Sequence, residues 1–417
     1  MGKLNPLASH RMTSSIRTAS LDETLRKAQA VARQLHITRV TDTTWLDRIG
    51  IPVYASIRPG AHRRSLAVNA GKGRWPKEAQ VGAYMEAIEF AFAESSRHLD
   101  AVDLLLPYQV QGQPSFPHSL LSLCPVLGRR IDPDKPIACV EATEIFSGES
   151  AMIPAELVFN PFTDNAGQAI YGTSTNGLAS GNTVEEASLH GLCELIERDV
   201  TSYQYINPTS YYVPVQPDTV GVPEDVAALV ERIVAADLTV TLRYAPNEYE
   251  LPYFQAHILE QQDFAPIAIS TGVGLHLDVG ISAVRAISEA AQSRLTFIHG
   301  GRDDIIDRYS KFEGLDGRAA ELRAVAISRS RVTDQARSMS FDSVSTTTSH
   351  MTESIDDALG LLRDKLGRSG IERVYRYVLS PPDVPLAVVR VIAPGLEHFK
   401  PDFHRVGPRL AQFVSDL

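Results

Sequence analysis

A chain of 417 residues with 44% hydrophobic and 22% charged residues has the composition of a globular protein able to bury one large core or two to three ordinary ones. Its net charge of −10, with no Lys/Arg run interleaved with aromatics, excludes a dedicated nucleic-acid binder. No apolar stretch is long enough to span a membrane. The three cysteines, Cys124, Cys139 and Cys193, fit a reducing cytoplasm and give neither a disulfide framework nor a zinc motif.

In chain order, the first 20 residues contain no acid and no secretory core and read as a disordered tail. From Ser20 a capped amphipathic helix is predicted, with Leu21, Leu25, Ala28, Val31 and Leu35 toward a core. A short strand follows at Ile37 to Val40, then a loop and strand from Leu46 to Arg58. Asn69-Ala-Gly-Lys-Gly places Lys72 between glycines just ahead of a helix. Glycines let backbone N–H groups approach phosphate oxygens, and the lysine adds charge, although this is not a P-loop and a turn lysine fits as well.

The helix over 79–94 carries Glu86 and Glu89, with Glu86 in a row of Ala79, Gly82, Ala83, Phe90 and Ala93 that points to burial. Residues 101–136 are Leu- and Pro-rich loops, and strands are predicted at 137–146 and 151–158. A Gly-punctuated loop then leads to a helix start at Asn182 or Thr183. Along this helix Glu186, His190, Glu194 and Glu197 share one face, while Leu189, Leu192, Ile196 and Val200 form another. The Pro- and Tyr-rich stretch 206–222 reads as an exposed or substrate-facing loop. A helix at 225–236 and strands at 238–244, 253–259 and 267–274 follow. A third acidic helix then sets Arg285, Glu289 and Gln292 in one row.

Beyond it, 303–331 reads as charged and helical, and Arg302, Asp303 and Asp304 as a local loop network. The Ser/Thr-rich 339–350 reads as a mobile loop, 355–366 as a helix, 374–379 and 386–392 as strands, and 394–417 as loop plus short helix. Helices mixed with adjacent strand pairs define an α+β fold rather than a regular βαβ wind. Three helices with Glu-x-x-Glu or Glu-x-x-Gln among small apolar residues converge on one expectation. Carboxylates in apolar rows need compensation, and hard divalent cations supply it.

Glu86-Ala-Ile-Glu89, the run from Asn176 to Asp199 ending Cys-Glu-Leu-Ile-Glu-Arg-Asp, and Arg285-Ala-Ile-Ser-Glu-Ala-Ala-Gln-Ser-Arg294 with Gly301-Arg-Asp-Asp304 together resemble the YcaO family. These are ATP-dependent enzymes that activate backbone amides of ribosomally made peptides, and the similarity runs from about Leu46 nearly to the end. The resemblance implies mixed, mainly antiparallel sheets with helices around a central ATP site, a tail and helix over 1–45, and a YcaO domain over 46–417. It implies Mg²⁺ held by Glu86, Glu89, Glu186, Glu194 and Glu197. It also implies nucleotide contacts from Lys72, Asn182, Arg198, Gln292, Arg294 and Arg390, with the helix N-cap as the other role open to Asn182 and a buried ion pair the other open to Arg390. Three residues before Asn182 the chain has Ala179 where some relatives have Ser. His190 is expected to be held by structural hydrogen bonds.

The implied partners are a precursor peptide, a TfuA-like protein with a sulfur donor, and a second copy of the chain. Arg409 to Leu417 lacks the Pro-x-Pro-x-Pro tail frequent in family cyclodehydratases, and Ile37 to Val53 resembles TfuA-associated members, which are linked to thioamidation. No winged-helix peptide-clasping domain is recognisable, so a separate protein is expected to deliver the peptide. The leading expectation is a thioamide synthetase, with an azoline-forming cyclodehydratase as the alternative at the same site. A non-nucleotide dimetal hydrolase and a catalytically silent scaffold are the readings of a different class.

Overall fold

Three sheets each carry one of the acidic helices on a face. The computed structural model describes residues 10–163, 167–207, 212–217, 221–262, 267–302 and 316–417. After a short antiparallel pair, β1 (His10–Arg11) and β2 (Ile16–Arg17), helix α1 (Leu21–Gln34) starts on Ser20, whose side chain accepts from Glu23 N. It buries Ala28, Val31 and Ala32 against the core shared with α2 (Pro76–Ala93). Strands β3 (Arg39–Asp42), β4 (Val53–Ile57) and β5 (Val68–Lys72) form the first antiparallel sheet, on which α2 lies.

The second sheet has β6 (Asp103–Leu105), β7 (Ile137–Glu144), β8 (Ser150–Pro154), β9 (Leu178–Gly181), β15 (Tyr375–Val378) and β16 (Ala387–Ile392). Its order is β6-β7-β15-β16-β9 with β8 beside β7, antiparallel throughout. Helix α3 (Pro107–Gln111) follows β6, and the central helix α4 (Val184–Gln204) lies on β16 and β9. The third sheet runs β13-β12-β11-β10-β14 through β10 (Val213–Gln216), β11 (Thr239–Tyr244), β12 (Tyr253–Leu259), β13 (Ile269–Leu275) and β14 (Met339–Ser340). Among the described residues only its β10–β14 pair is parallel. Helix α5 (Glu224–Ala235) and the third acidic helix α6 (Val279–His299) cover this sheet. The architecture is α+β with antiparallel-dominated sheets, as expected.

Close strand–helix contact explains the glycines. A Cβ on Gly71 would stand 2.1 Å from Ala79 O and Ala83 N of α2, and one on Gly272 would stand 2.2 Å from Ala290 N of α6. Both positions require glycine because backbone meets backbone there. Gly71 therefore serves packing inside a strand, and the loop expected to cradle phosphate around Lys72 is instead the end of β5.

Two expected loops are ordered elements. Val213–Gln216, inside the stretch read as exposed, pairs with β11; residues 208–211 and 218–220 lie outside the described residues. Phe341–Thr348, inside the stretch read as mobile, is a helix capped by Ser340 that buries Phe341, Val344 and Thr348. The apolar pair Phe341 and Val344 at helical spacing outweighs the Ser/Thr richness. The charged stretch after α6 contributes a helix at Gly317–Thr333, and Asp303 and Asp304 lie outside the described residues.

Candidate active site

Helix α4 begins on Thr183, whose side chain accepts from Glu186 N at 3.1 Å, so the cap is Thr183 and not Asn182. Asn182 instead donates to both Glu186 carboxylate oxygens at 3.3 Å and exchanges hydrogen bonds with Thr24. Arg17 Nη1 donates to Glu186 at 3.0 Å, and Thr18 donates its N–H at 2.9 Å and its hydroxyl at 2.6 Å. Burial raises the Glu186 carboxyl, but Arg17 and Thr18 outweigh it and hold it below the ordinary carboxylate range. Thr13 binds Glu78 in the first turn of α2 in the same manner. Residues 10–18, read from the sequence as tail, thus strap together the starts of α2 and α4.

The cleft between α2, α4 and α6 has a volume of about 820 Å³. Glu86, Glu89, Glu186, Glu194, Glu197, Lys72, Arg198 and Gln292 all line it, as sequence reasoning expected. Periodicity put each set on one helix face, and the three sheets turn those faces toward each other. Ser180 Oγ donates to Glu89 at 2.5 Å, and Ala70 N donates to Glu86 at 2.8 Å. Neither bond offsets desolvation. Burial pushes Glu86 up, and it pushes Glu89 up to about 8, with the neighbouring Glu86 and Glu194 charges adding to the rise. Glu194 is raised as well, by burial and then Glu197, against the pull of Arg198. Arg198 lies 3.6 Å from both Glu194 and Glu197, and buried Glu197 also accepts from Leu275 N at 3.0 Å.

Across the cleft Lys72 Nζ pairs with Glu289 at 2.8 Å, and Gln292 donates to Ala70 O at 2.9 Å. Burial raises the Glu289 carboxyl, but Lys72, Arg198 and Arg285 outweigh it and bring it below the ordinary range. Three expected nucleotide contacts are not among the lining residues: Asn182, which is bonded to Glu186 and Thr24, and Arg294 and Arg390. Arg294 is buried, with Asp47 at 2.8 Å and Glu260 at 2.6 Å as its partners. Arg390, fully buried on β16, donates to the carbonyls of Val158 at 2.9 Å and Asn176 at 2.7 Å rather than forming an ion pair. Its Nη2 has no partner, and burial lowers its pKa to about 10.

Sequence reasoning left out Arg17, Arg285, Glu289 and Lys400 as site residues, all of which line the cleft. Glu289 and Arg285 were visible in the α6 row. Arg17 and Lys400 sit in segments without periodic signal and reach the site only through tertiary folding. Lys400 follows β16, and its amine is lowered to about 8, first by Arg198 and then by burial. His190 was expected to be hydrogen-bonded, yet its buried Nδ1 has no partner.

Carboxylates raised by burial and by one another are short of positive charge, and their all-oxygen donor set suits a hard cation. Among the described residues no three His, Cys, Asp or Glu side chains converge on one point. Mg²⁺ matches that arrangement, because it takes one or two carboxylates and completes its shell with phosphate and water. Glu86, Glu89 and Glu194 are the carboxylates that fit it, while Lys72, Arg198, Arg285 and Lys400 suit phosphate oxygens. The cleft thus has the donor types to accept a polyanion together with divalent cations.

Comparison with known proteins agrees. The family described as YcaO cyclodehydratase, ATP- and Mg²⁺-binding, matches residues 70–397. A Methanothermobacter thermautotrophicus protein is 34% identical over 394 residues, covering 94% of this chain and 98% of its own. A Rhizobium leguminosarum bv. trifolii protein from the tfuA 3′ region is 33% identical over 377 residues, covering 88% and 84%. Among solved structures, YcaO from Methanopyrus kandleri bound with AMPPCP and Mg²⁺ superposes with TM-score 0.73 at 21% identity, over 96% of this chain and 98% of that one. A heterocyclase in complex with substrate and cofactor gives 0.76 at 18%, over 97% and 55%. The chain belongs to the YcaO family, whose cofactors are ATP and Mg²⁺.

Proposed function

We propose that this protein activates a backbone amide of a ribosomally made peptide by ATP- and Mg²⁺-dependent O-phosphorylation and, with a TfuA-like partner and a sulfur donor, converts it to a thioamide. The observation that carries the first half is the cleft, where Glu86, Glu89 and Glu194 are left short of positive charge beside Lys72, Arg198 and Arg285. The thioamide rests on the likeness to the relative from the tfuA 3′ region. MgATP, when bound, supplies the phosphoryl group that turns the amide oxygen into a leaving group. The chain's own residues bind and orient. Glu86, Glu89 and Glu194 are read as the metal-facing carboxylates, with Glu197 beside them held by Arg198 and Leu275 N–H, and Lys72, Arg198 and Gln292 as the nucleotide-facing groups. Glu186 and Asn182 are read as holding the N-terminal strap that closes the cleft, and Arg294 and Arg390 as supporting it from behind.

The active unit is taken as a cytoplasmic homodimer with the YcaO domain over 46–417. The family's description as cyclodehydratase favours azoline formation as the second reading. Product mass separates the two. The purified protein with MgATP, its precursor peptide, the TfuA-like partner and sulfide is expected to add the sulfur-minus-oxygen mass difference at each site. That gain should survive replacement of the residue after the modified carbonyl by Ala. Loss of one water without sulfide, abolished by that replacement, contradicts the thioamide and supports the azoline.

A further inference from the structure

The segment after β16 returns to the cleft and is anchored along the second half of α4. Asp199 of α4 accepts from Glu397 N at 2.7 Å and from Arg409 at 2.8 Å, and Ser202 Oγ accepts from Phe399 N at 2.8 Å. The Glu397 carboxylate accepts in turn from Gly407 N at 2.6 Å and Leu410 N at 2.9 Å, at the start of the C-terminal helix Pro408–Ser415. Arg405 donates to the carbonyls of Leu123 and Cys124 at 2.9 Å. Between these anchors the chain presents Lys400 and Phe403 to the cleft. Charge-assisted bonds of this kind are the strong ones, so the backbone under Lys400 is fixed against α4.

Three of the cleft's cations are held by carboxylates: Lys72 by Glu289, Arg17 by Glu186, and Arg198 by Glu194 and Glu197. Lys400 has no carboxylate partner among the described residues, and its amine stands 5.9 Å from the centroid of the Phe403 ring. Phe403 is 42% exposed, so the cleft reaches solvent at this end. From Arg198 back to Glu186 the helix runs about 18 Å, and there Arg17 and Thr18 of the strap tie the cleft shut. A peptide amide arriving from solvent thus meets the nucleotide at the Lys400 end. We propose that Lys400 is a catalytic residue that binds the terminal phosphate of MgATP, the group handed to the amide oxygen. This rests on the amide-activation reading above and names a residue for its transfer step. In that step the bond from the terminal phosphorus to its bridging oxygen breaks, and the electron pair leaves with ADP. A bond from the phosphorus to the amide oxygen forms, and Lys400 keeps its proton throughout.

The electrostatic setting supports the role. Arg198 is the largest influence on the Lys400 amine and burial the second, and together they outweigh Glu194, Glu289 and Glu197 and lower it to about 8. Two cations that repel one another in a partly desolvated cleft are the converse of its raised carboxylates. An anion between them relieves the repulsion, as a cation relieves Glu89 and Glu194. A lysine serves here as a point charge, which suits a phosphate whose charge is spread over several oxygens.

Calorimetry with MgADP and MgAMPPCP separates a contact to the terminal phosphate from a general loss of charge. Lys400→Met keeps the stem and removes the charge. Its affinity for MgAMPPCP should fall on the order of 10–100-fold, the worth of a charged hydrogen bond, and that for MgADP by less than about threefold. Lys400→Arg should recover part of the difference. Single-turnover modification of the precursor peptide by Lys400→Met should fall on the order of 10²–10³-fold. A second arm uses the wild-type protein alone. Limiting acetic anhydride at about pH 8, where part of the amine is neutral, should acetylate Lys400, as read by peptide mass mapping. MgAMPPCP should protect it and MgADP should not. Equal losses for the two nucleotides, loss for neither, or labelling that both or neither of them block overturns the proposal. Failure of the underlying reading looks different, because the wild type itself then binds no MgAMPPCP.

Discussion

The first turn and the middle of helix α4 carry the same residue type on the same face and use it in opposite ways. At the first turn Glu186 is buried and saturated: Arg17, Thr18 and Asn182 supply its hydrogen bonds, and its carboxyl is held below the ordinary range. Two turns on, Glu194 has Arg198 at 3.6 Å as its one ion-pair partner among the described residues, a like-charged Glu197 beside it, and a raised carboxyl. Glu89 on α2, with one hydroxyl donor, is raised to about 8. A carboxylate whose partners come from the protein is a structural fastener. One whose compensation is missing is poised for a cation that arrives with the substrate.

The contrast predicts separable phenotypes. Glu194→Gln keeps shape and removes charge, so MgATP hydrolysis should fall on the order of 10²–10³-fold with the melting temperature held or raised. Unchanged hydrolysis would place Glu194 with the fasteners. Glu186→Gln should do the reverse, costing about 1.5–3 kcal/mol in denaturant unfolding through lost charge-assisted hydrogen bonds. A stable Glu186→Gln protein that has lost hydrolysis would move Glu186 to the other group.

These assignments were only half legible in the amino-acid order. Helical spacing placed Glu186, Glu194 and Glu197 on one face, and the α2 and α6 rows pointed to the same cleft, because periodicity is a local property. Which carboxylate is compensated depends on residues far away in the chain: Arg17 for Glu186, Lys72 for Glu289, and Asp47 and Glu260 for Arg294. Arg198 continues the cleft row of α4 at i+4 from Glu194, whereas Arg294, two residues beyond Gln292, falls on the opposite side of α6 and meets Asp47 and Glu260. The glycine before Lys72 misled for a related reason, since it answers to packing of β5 on α2 and not to a phosphate-cradling loop, while Lys72 itself lines the cleft.

Proton linkage sharpens the comparison further. Glu89's folded pKa of about 8 lies above its unfolded value, so the folded state binds the extra proton in the window between the two. Without ligand, stability from this group is gained as pH falls below about 8 and lost as pH rises through it. Glu186 has the opposite sign: its depressed carboxyl contributes stability above the unfolded pKa, lost as pH falls through the folded one. Glu89→Gln should therefore stabilise the ligand-free protein above pH 8 by at least about 1.4 kcal/mol, one unit's worth, and change little at pH 5. A melting temperature with the same pH profile in both proteins would remove Glu89 from the uncompensated set. The smallest effect is expected of Lys72→Ala. Its pair with Glu289 is about a quarter exposed on both sides, so stability should shift by no more than about 1 kcal/mol while MgATP affinity weakens. A large fall in melting temperature with normal affinity would make Lys72 a fastener instead.

The most direct test of the claim that the cleft's carboxylates await a cation is calorimetric titration of AMPPCP into the wild-type protein, with Mg²⁺ and with a chelator, in buffers of different ionisation enthalpy at pH 7. The predicted result is binding only with Mg²⁺, accompanied by proton release as Glu89, protonated at that pH in the free protein, gives up its proton to the incoming charge. Equal binding in the chelator, or Mg²⁺-dependent binding that releases no proton, would contradict the account.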